Sequence, residues 1–183
     1  MSMWVAIDET YDYRKLFRSG RQLQIRTFAG VFLDNNTGPT SYFDFNLNRP
    51  NDYLFQYDFF GRSESTGLYG QQFVMAEGGF KSIIPNSNAN QWMLSANLTF
   101  GLWRWIEVYL DGALLKNKGE GVAQYYDTGL RFNLLPDYLE LFFPVASTSE
   151  VALTSPYYTS KIRFVLSIRG NQLKALFSRS WFY

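Results

Sequence analysis

The side chains that could carry chemistry in this chain are carboxylates, arginines, lysines and hydroxyls, because its 183 residues contain no histidine and no cysteine. That composition removes Ser-His-Asp triads, thiol nucleophiles, zinc knuckles and histidine-based metal sites. What remains is acid–base work by paired carboxylates, a Ser-Lys pair, or a metal held by carboxylates alone. Glu107 and Asp111 fall on one face of an extended segment, and Asp127 and Glu140 stand where neighbouring strands can bring them close. Carboxylates so placed can divide acid and base roles. They serve equally as structural partners of Arg131, Arg163 and Arg169, and that is the reading adopted here. The stretches Ser63-Glu64-Ser65-Thr66 and Ser147-Thr148-Ser149-Glu150 have ordinary loop composition. Gly78-Gly79 and Gly119-Glu120-Gly121 lack the strand-to-helix context of a phosphate loop and read as turns or bulges. The expectation is a chain that is not an enzyme and needs no cofactor or metal. A net charge of +1 gives no reason to expect a nucleic-acid partner.

The elements that must position these charges alternate with period two, the mark of strands with two unlike faces. Trp92, Leu94, Ala96, Leu98, Phe100 and Leu102 oppose Ser95, Asn97, Thr99 and Gly101. After a tight connection near Trp103-Arg104, Ile106, Val108, Leu110 and Leu114 oppose Glu107, Tyr109 and Asp111. Tyr126, Thr128, Leu130, Phe132 and Leu134 oppose Asp127, Gly129, Arg131 and Asn133. The turn Leu135-Pro136-Asp137-Tyr138 leads to Leu139, Leu141, Phe143 and Val145 against Glu140. Ile162, Phe164, Leu166 and Ile168 oppose Arg163, Ser167 and Arg169. Upstream, Leu23, Ile25, Ala29, Val31 and Leu33 oppose Gln24, Arg26 and Gly30. Phe43, Phe45 and Leu47 oppose Asp44, Asn46 and Asn48, and Tyr53, Phe55, Tyr57 and Phe59 oppose Gln56 and Asp58. Segments from Trp4 to Tyr13 and from Gln71 to Lys81 alternate less cleanly. The count is about ten strands, or about eight if two segments are loops, both even as in bacterial outer-membrane barrels.

A soluble β-sandwich and a membrane barrel both alternate, so the occupants of the two faces must decide. A sandwich shows water a face rich in Lys, Glu and Thr. Here the polar face carries isolated charges of both signs at Arg26, Asp44, Asp58, Glu107, Asp111, Asp127, Arg131, Glu140, Arg163 and Arg169. Such a set suits a confined interior where charges pair, because burying them unpaired costs several kcal/mol each. The greasy positions Leu94, Leu98, Phe100, Val108, Leu110, Leu130, Phe132, Leu141, Phe164 and Leu166 would then face lipid. Trp92, Trp103, Trp105, Tyr138 and Trp181 lie near segment ends, where interfacial aromatics belong. Tight links alternate with longer polar ones at 116–121 and 146–159, as short periplasmic turns alternate with long outer loops. The expected fold is an all-β, antiparallel transmembrane β-barrel, one domain over residues 1–183, narrow enough for side chains to fill.

Further expectations follow. Leu173, Leu176, Phe177, Ser180 and Trp181 share a helical face and read as a short interfacial C-terminal helix, with a last strand as the alternative. No charged, then apolar, leader opens the sequence, and strand pattern begins by Trp4, as in a mature product or the C-terminal part of a longer protein. The location is a Gram-negative outer membrane. The partners are the bilayer and lipopolysaccharide, other outer-membrane proteins, and the barrel assembly machinery that inserts such chains. Three roles stay open: a non-catalytic anchor, a subunit of a larger outer-membrane assembly or transport complex, and a small pore.

Six stretches carry a family resemblance: QLQIRTFAGVFL (22–33), NDYLFQYDFFGRSESTG (51–67), QQFVMAEGGFK (71–81), NQWMLSANLTFGL (90–102), LLPDYLELFFP (134–144) and KIRFVLSI (161–168). Together they resemble the C-terminal region of large gluzincin-type, aminopeptidase-like metallopeptidases of Bacteroidetes, over nearly the whole chain. Gly61-Arg62, Gln71-Gln72 and Glu77-Gly78-Gly79-Phe80-Lys81 weigh most. The resemblance implies a peptidase domain with a zinc-binding HExxH helix ahead of this region. With no histidine, no catalytic residue transfers to any position here, and only location and anchoring carry over.

Overall fold

The computed structural model describes residues 4–18, 21–35, 44–48, 68–103, 105–135 and 139–166. They form β1 (Trp4–Leu16), β2 (Gln22–Asn35), β3 (Phe45–Asn46), β4 (Asn88–Ala89), β5 (Trp92–Gly101), β6 (Ile106–Lys116), β7 (Val122–Leu135), β8 (Leu139–Ser147), a four-residue helix α1 (Tyr158–Lys161), and β9 (Arg163–Leu166). Seven of the strands make one sheet in the order β1-β2-β5-β6-β7-β8-β9, antiparallel at every step. The sheet curls into a half-barrel. The protein is therefore all-β.

Alternation in the sequence becomes alternation of burial. Along β5 every second side chain from Met93 to Gly101 is buried, and Leu94, Ala96, Leu98 and Phe100 are exposed. Register keeps like with like: Leu98 stands opposite Leu110 and Ile25, and Asn97 opposite Asp111 and Arg26. A slip of one residue would exchange the faces, so the hydrophobic pattern itself specifies the register. The sheet bends where the ladder shifts. Pro144, which cannot donate to a ladder, sits opposite Gly129 beside the shift between Thr128 and Gly129.

The concave side holds more than side chains. Residues 44–48 and 68–90 lie against it, joined through the two-stranded pairing of β3 and β4. Phe45, Leu47, Phe80, Ile84 and Ala89 pack there with Phe28 of β2, Met93 of β5 and Ala113 and Leu115 of β6. A second cluster joins Phe73 to Tyr109 and Phe142, with ring centroids of Phe73 and Phe142 5.3 Å apart. The apolar core thus lies between the sheet and a returning segment.

This arrangement corrects three expectations. Phe45 and Leu47 do not line an outer strand face; both are buried inside, because β3 belongs to the segment within the curve. Gln71–Lys81 is not a strand; it has one short 3-10 turn at Tyr69–Gln71 and a single bridge at Gln72, and its polar groups pair with the wall instead. The interior is filled by a polypeptide segment as well as by side chains. In contrast, the first segment forms a full strand, β1, of 13 residues. The long 146–159 connection contains a 3-10 turn at Ala152–Thr154 and leads into α1. Segment 53–59 and the C-terminal 173–181 stretch lie outside the described residues.

Gly79 shows how closely the inner segment approaches the wall. Its φ is +72°, and a Cβ there would stand 2.6 Å from Asn97 Oδ1. Gly79→Val should lower stability by about 1–3 kcal/mol, from left-handed backbone strain and the displaced Asn97. Gly121→Val, where nothing lies within 4 Å of the added carbon, should cost much less. Urea midpoints followed by tryptophan fluorescence in detergent would compare the two.

Candidate functional site

The inner ends of the strand charges converge on one stretch, Glu77–Ser82. Arg26 Nη1 donates to Glu77 O at 2.8 Å and to Asn97 Oδ1 at 3.1 Å. Asn97 Nδ2 donates to Gly78 O at 2.9 Å and to Asp111 Oδ1 at 3.0 Å. Lys81 Nζ reaches both oxygens of Asp111, at 2.8 and 2.9 Å, and lies 5.1 Å from the centre of the Tyr109 ring. Asp127 accepts from Lys81 N at 3.0 Å, Ser82 N at 2.7 Å and Ser82 Oγ at 2.7 Å. Four residues from β2, β5, β6 and β7 therefore hold one backbone segment. The positions follow from the register, since Arg26, Asn97, Asp111 and Asp127 pair in sequence across those strands.

A second group lies nearer the opposite rim. Arg131 pairs with Glu107 Oε2 at 3.1 Å and binds Glu140 through both Nε and Nη2. Gln22 Nε2 donates to Glu107, and the Arg131 guanidinium lies 5.8 Å from the Phe142 ring centre. One arginine thus serves two carboxylates, and Arg suits this because its planar fork presents several donors at once. A cavity of about 80 Å³ separates the groups, with Arg26, Lys81, Asn97, Arg131 and Glu140 on its walls.

The structure places the sequence candidates as follows. Glu107, Asp111, Asp127, Glu140 and Arg163 are buried on the concave face, with Arg26 and Arg131 half-buried beside them. Arg163 Nη1 donates to Gly70 O at 3.2 Å, so it holds the inner segment from β9. Arg169 lies outside the described residues. Asp111 pairs with Lys81 rather than with Arg131 or Arg163, and Asp127 is held by N–H and hydroxyl donors. Leu94, Leu98, Phe100, Val108, Leu110, Leu130, Phe132, Leu141, Phe164 and Leu166 are on the convex face, exposed or half-exposed. Trp92 begins β5 at one rim, and Trp103 and Trp105 are exposed at the β5–β6 turn. Tyr138 and Trp181 lie outside the described residues.

Lys81, Ser82, Gln22 and Asn97 complete the site and were not singled out by pattern. Lys81 and Ser82 belong to no strand, so alternation carries no information about them. Asn97 reads as one more polar strand residue until its neighbours are known. Among the described residues no cluster of three or more carboxylates could hold a metal ion. Every carboxylate in the two groups has a nearby cation or several donors, an arrangement that fixes position. No protein-family model, curated protein or solved structure matches this chain.

Lys81 and Asp111 are both nearly inaccessible, so removing one partner leaves a buried charge behind. Lys81→Met should destabilise the fold by about 3–5 kcal/mol, and Lys81→Met combined with Asp111→Leu should recover much of that loss. A double-mutant cycle from equilibrium unfolding would measure the coupling.

Proposed function

We propose that this chain is the wall of a transmembrane β-barrel in a Gram-negative outer membrane, and that it acts as a non-catalytic anchor. In this reading it holds a metallopeptidase-like domain, or partner proteins, at that surface. One observation carries the membrane assignment: the sheet is inside out. Its convex face exposes Val31, Leu33, Leu94, Leu98, Phe100, Leu110, Leu114 and Leu134, whereas Asp111 and Asp127 on the concave face have no accessible surface. Large apolar side chains exposed side by side across several strands are unusual on a soluble monomer. Ten residues of β5, at about 3.3 Å each and tilted as barrel strands are, match a hydrocarbon band of about 25 Å. The exposed Trp103 and Trp105 at the strand ends suit the interface. Lipid and lipopolysaccharide are then the solvent of the convex face, and insertion falls to the barrel assembly machinery.

The anchor is favoured over the pore by the inner segment, which is held to the wall where a channel would run. Membership of a larger outer-membrane assembly remains the second reading, supported by β1 standing at the edge of the sheet among the described residues. On the anchor reading, Leu98→Arg should impair folding into lipid by about 2–4 kcal/mol at mid-membrane, and Ser149→Arg in the connection should not. Folding into liposomes, followed by gel mobility with and without heating, distinguishes them; equal folding and detergent-free solubility of Leu98→Arg would sink the lipid-facing assignment. Planar bilayers containing the purified chain should stay silent, and discrete conductance steps would favour the pore.

A further inference from the structure

The sheet has two edges, and they are unlike. At β9 the outer side is already engaged: Gln72 bridges Phe164, Phe73 N donates to Phe164 O at 2.6 Å, and Gln72 Nε2 donates to Leu166 O at 3.3 Å. Among the described residues the strand order ends at β1, a strand of 13 residues. From Ile7 to Leu16 its side chains are exposed on both faces. Asp8, Thr10, Asp12 and Arg14 share the concave side with Gly30, Phe28, Arg26 and Gln24 of β2; Ile7, Glu9, Tyr11, Tyr13 and Lys15 share the convex side with Val31, Ala29, Thr27, Ile25 and Leu23. A long exposed edge of this kind is where a sheet accepts another strand.

The filling of the curve says that more strands are needed. A barrel of about eight strands has interior room for its own side chains and little else. This wall instead encloses a chain segment, with Phe45, Leu47, Phe80 and Ile84 buried between segment and sheet. On the barrel reading the complete wall is wider than an eight-stranded one, and β1 is the edge of the described sheet at which it can widen.

We infer that the strand added at β1 is β1 of a second copy of this chain, paired antiparallel about a two-fold axis at Tyr11, so that two half-barrels share one wall. The inference rests on the membrane-barrel reading. A two-fold interface must be self-complementary, and an axis on a residue keeps inward side chains inward. With the axis at Tyr11, Asp8 meets Arg14 of the second copy and Arg14 meets its Asp8, while Thr10 meets Asp12. The Arg14 side chain is held on that concave side by its Nε bond to Gln22 Oε1, 3.0 Å. On the concave side the two adjacent registers oppose like charges: an axis at Thr10 sets Asp8 against Asp12, and an axis at Asp12 sets the two Asp12 carboxylates against each other. Opposed like charges disfavour a strand pair, and opposite charges support it.

Three measurements on the full chain in detergent or nanodiscs test this. The unmodified protein should show twice its 21.3 kDa chain mass once bound detergent is subtracted. Because the chain has no cysteine, Tyr11→Cys introduces a single thiol that meets its own copy on the axis. Mild oxidation should link it covalently, whereas Ser149→Cys should stay unlinked. Asp8→Arg should lower the dimer fraction at least tenfold, and adding Arg14→Asp should restore it. A monomeric mass with liposome insertion intact would overturn the pairing and leave the barrel reading standing, pointing to another strand at β1. A dimer that neither links at Tyr11→Cys nor responds to Asp8→Arg would overturn it too. A chain that fails to enter bilayers removes the barrel reading and the inference together.

Discussion

The ion pair between Lys81 and Asp111 is the contact on which the rest of this structure turns. It joins a strand wall to a segment that belongs to no strand, at a place where neither partner meets water. A buried charge without its partner is costly, so the wall and the segment cannot be arranged independently. Asp127 extends the constraint by taking two N–H donors and one hydroxyl from Lys81 and Ser82. Gly78 and Gly79 let the backbone come close enough, since a Cβ on Gly78 would stand 2.5 Å from Leu47 Cα. The apolar cluster around Phe80 and Leu47 then packs where this pinning has placed it. Direction comes from the polar contacts, and most of the buried apolar surface comes from the cluster.

The second constraint is the exchange of inside and outside. In water an antiparallel sheet with one wet face shows polar side chains outward. Here most polar strand residues are gathered within the curve, where ion pairs and hydrogen bonds meet many of them, and the convex face is largely apolar. The two facts depend on each other. On the proposed membrane reading, a lipid-facing exterior leaves nowhere for Glu107, Asp111, Asp127 and Glu140 except the interior, where Arg131, Lys81 and Ser82 are placed to meet them.

Much of the sheet was legible before any coordinates. Strict alternation in 92–116 and 122–147 sets which residues share a face, and the hairpin turn near Trp103 follows from it, because period two is a local property of extended chain. The carboxylates were legible as inward for the same reason. Their partners were not. Asp111 finds Lys81, 30 positions away, through a segment whose alternation is weak and whose path inside the curve no local pattern specifies. Phe45 and Leu47 show the limit most clearly. Their alternation with Asp44 and Asn46 resembles that of a wall strand, yet they are buried under the sheet, since periodicity reports two faces and not which of them meets lipid.

That limit bears on the choice between anchor and channel. The pattern of the wall strands is compatible with an open lumen or a filled one, because both need polar residues inside. What separates them is the inner segment, and it is read from contacts rather than from pattern. Donors on Arg26 and Asn97 go to the backbone carbonyls of Glu77 and Gly78, and Arg163 goes to that of Gly70. Side chains committed to holding backbone in place are not free to form a selective lining, and moving the segment aside would strand several of them at once. An interior cross-braced in this way resists opening and transmits load between strands. Those are the properties of a rigid support, which the proposed anchoring role requires.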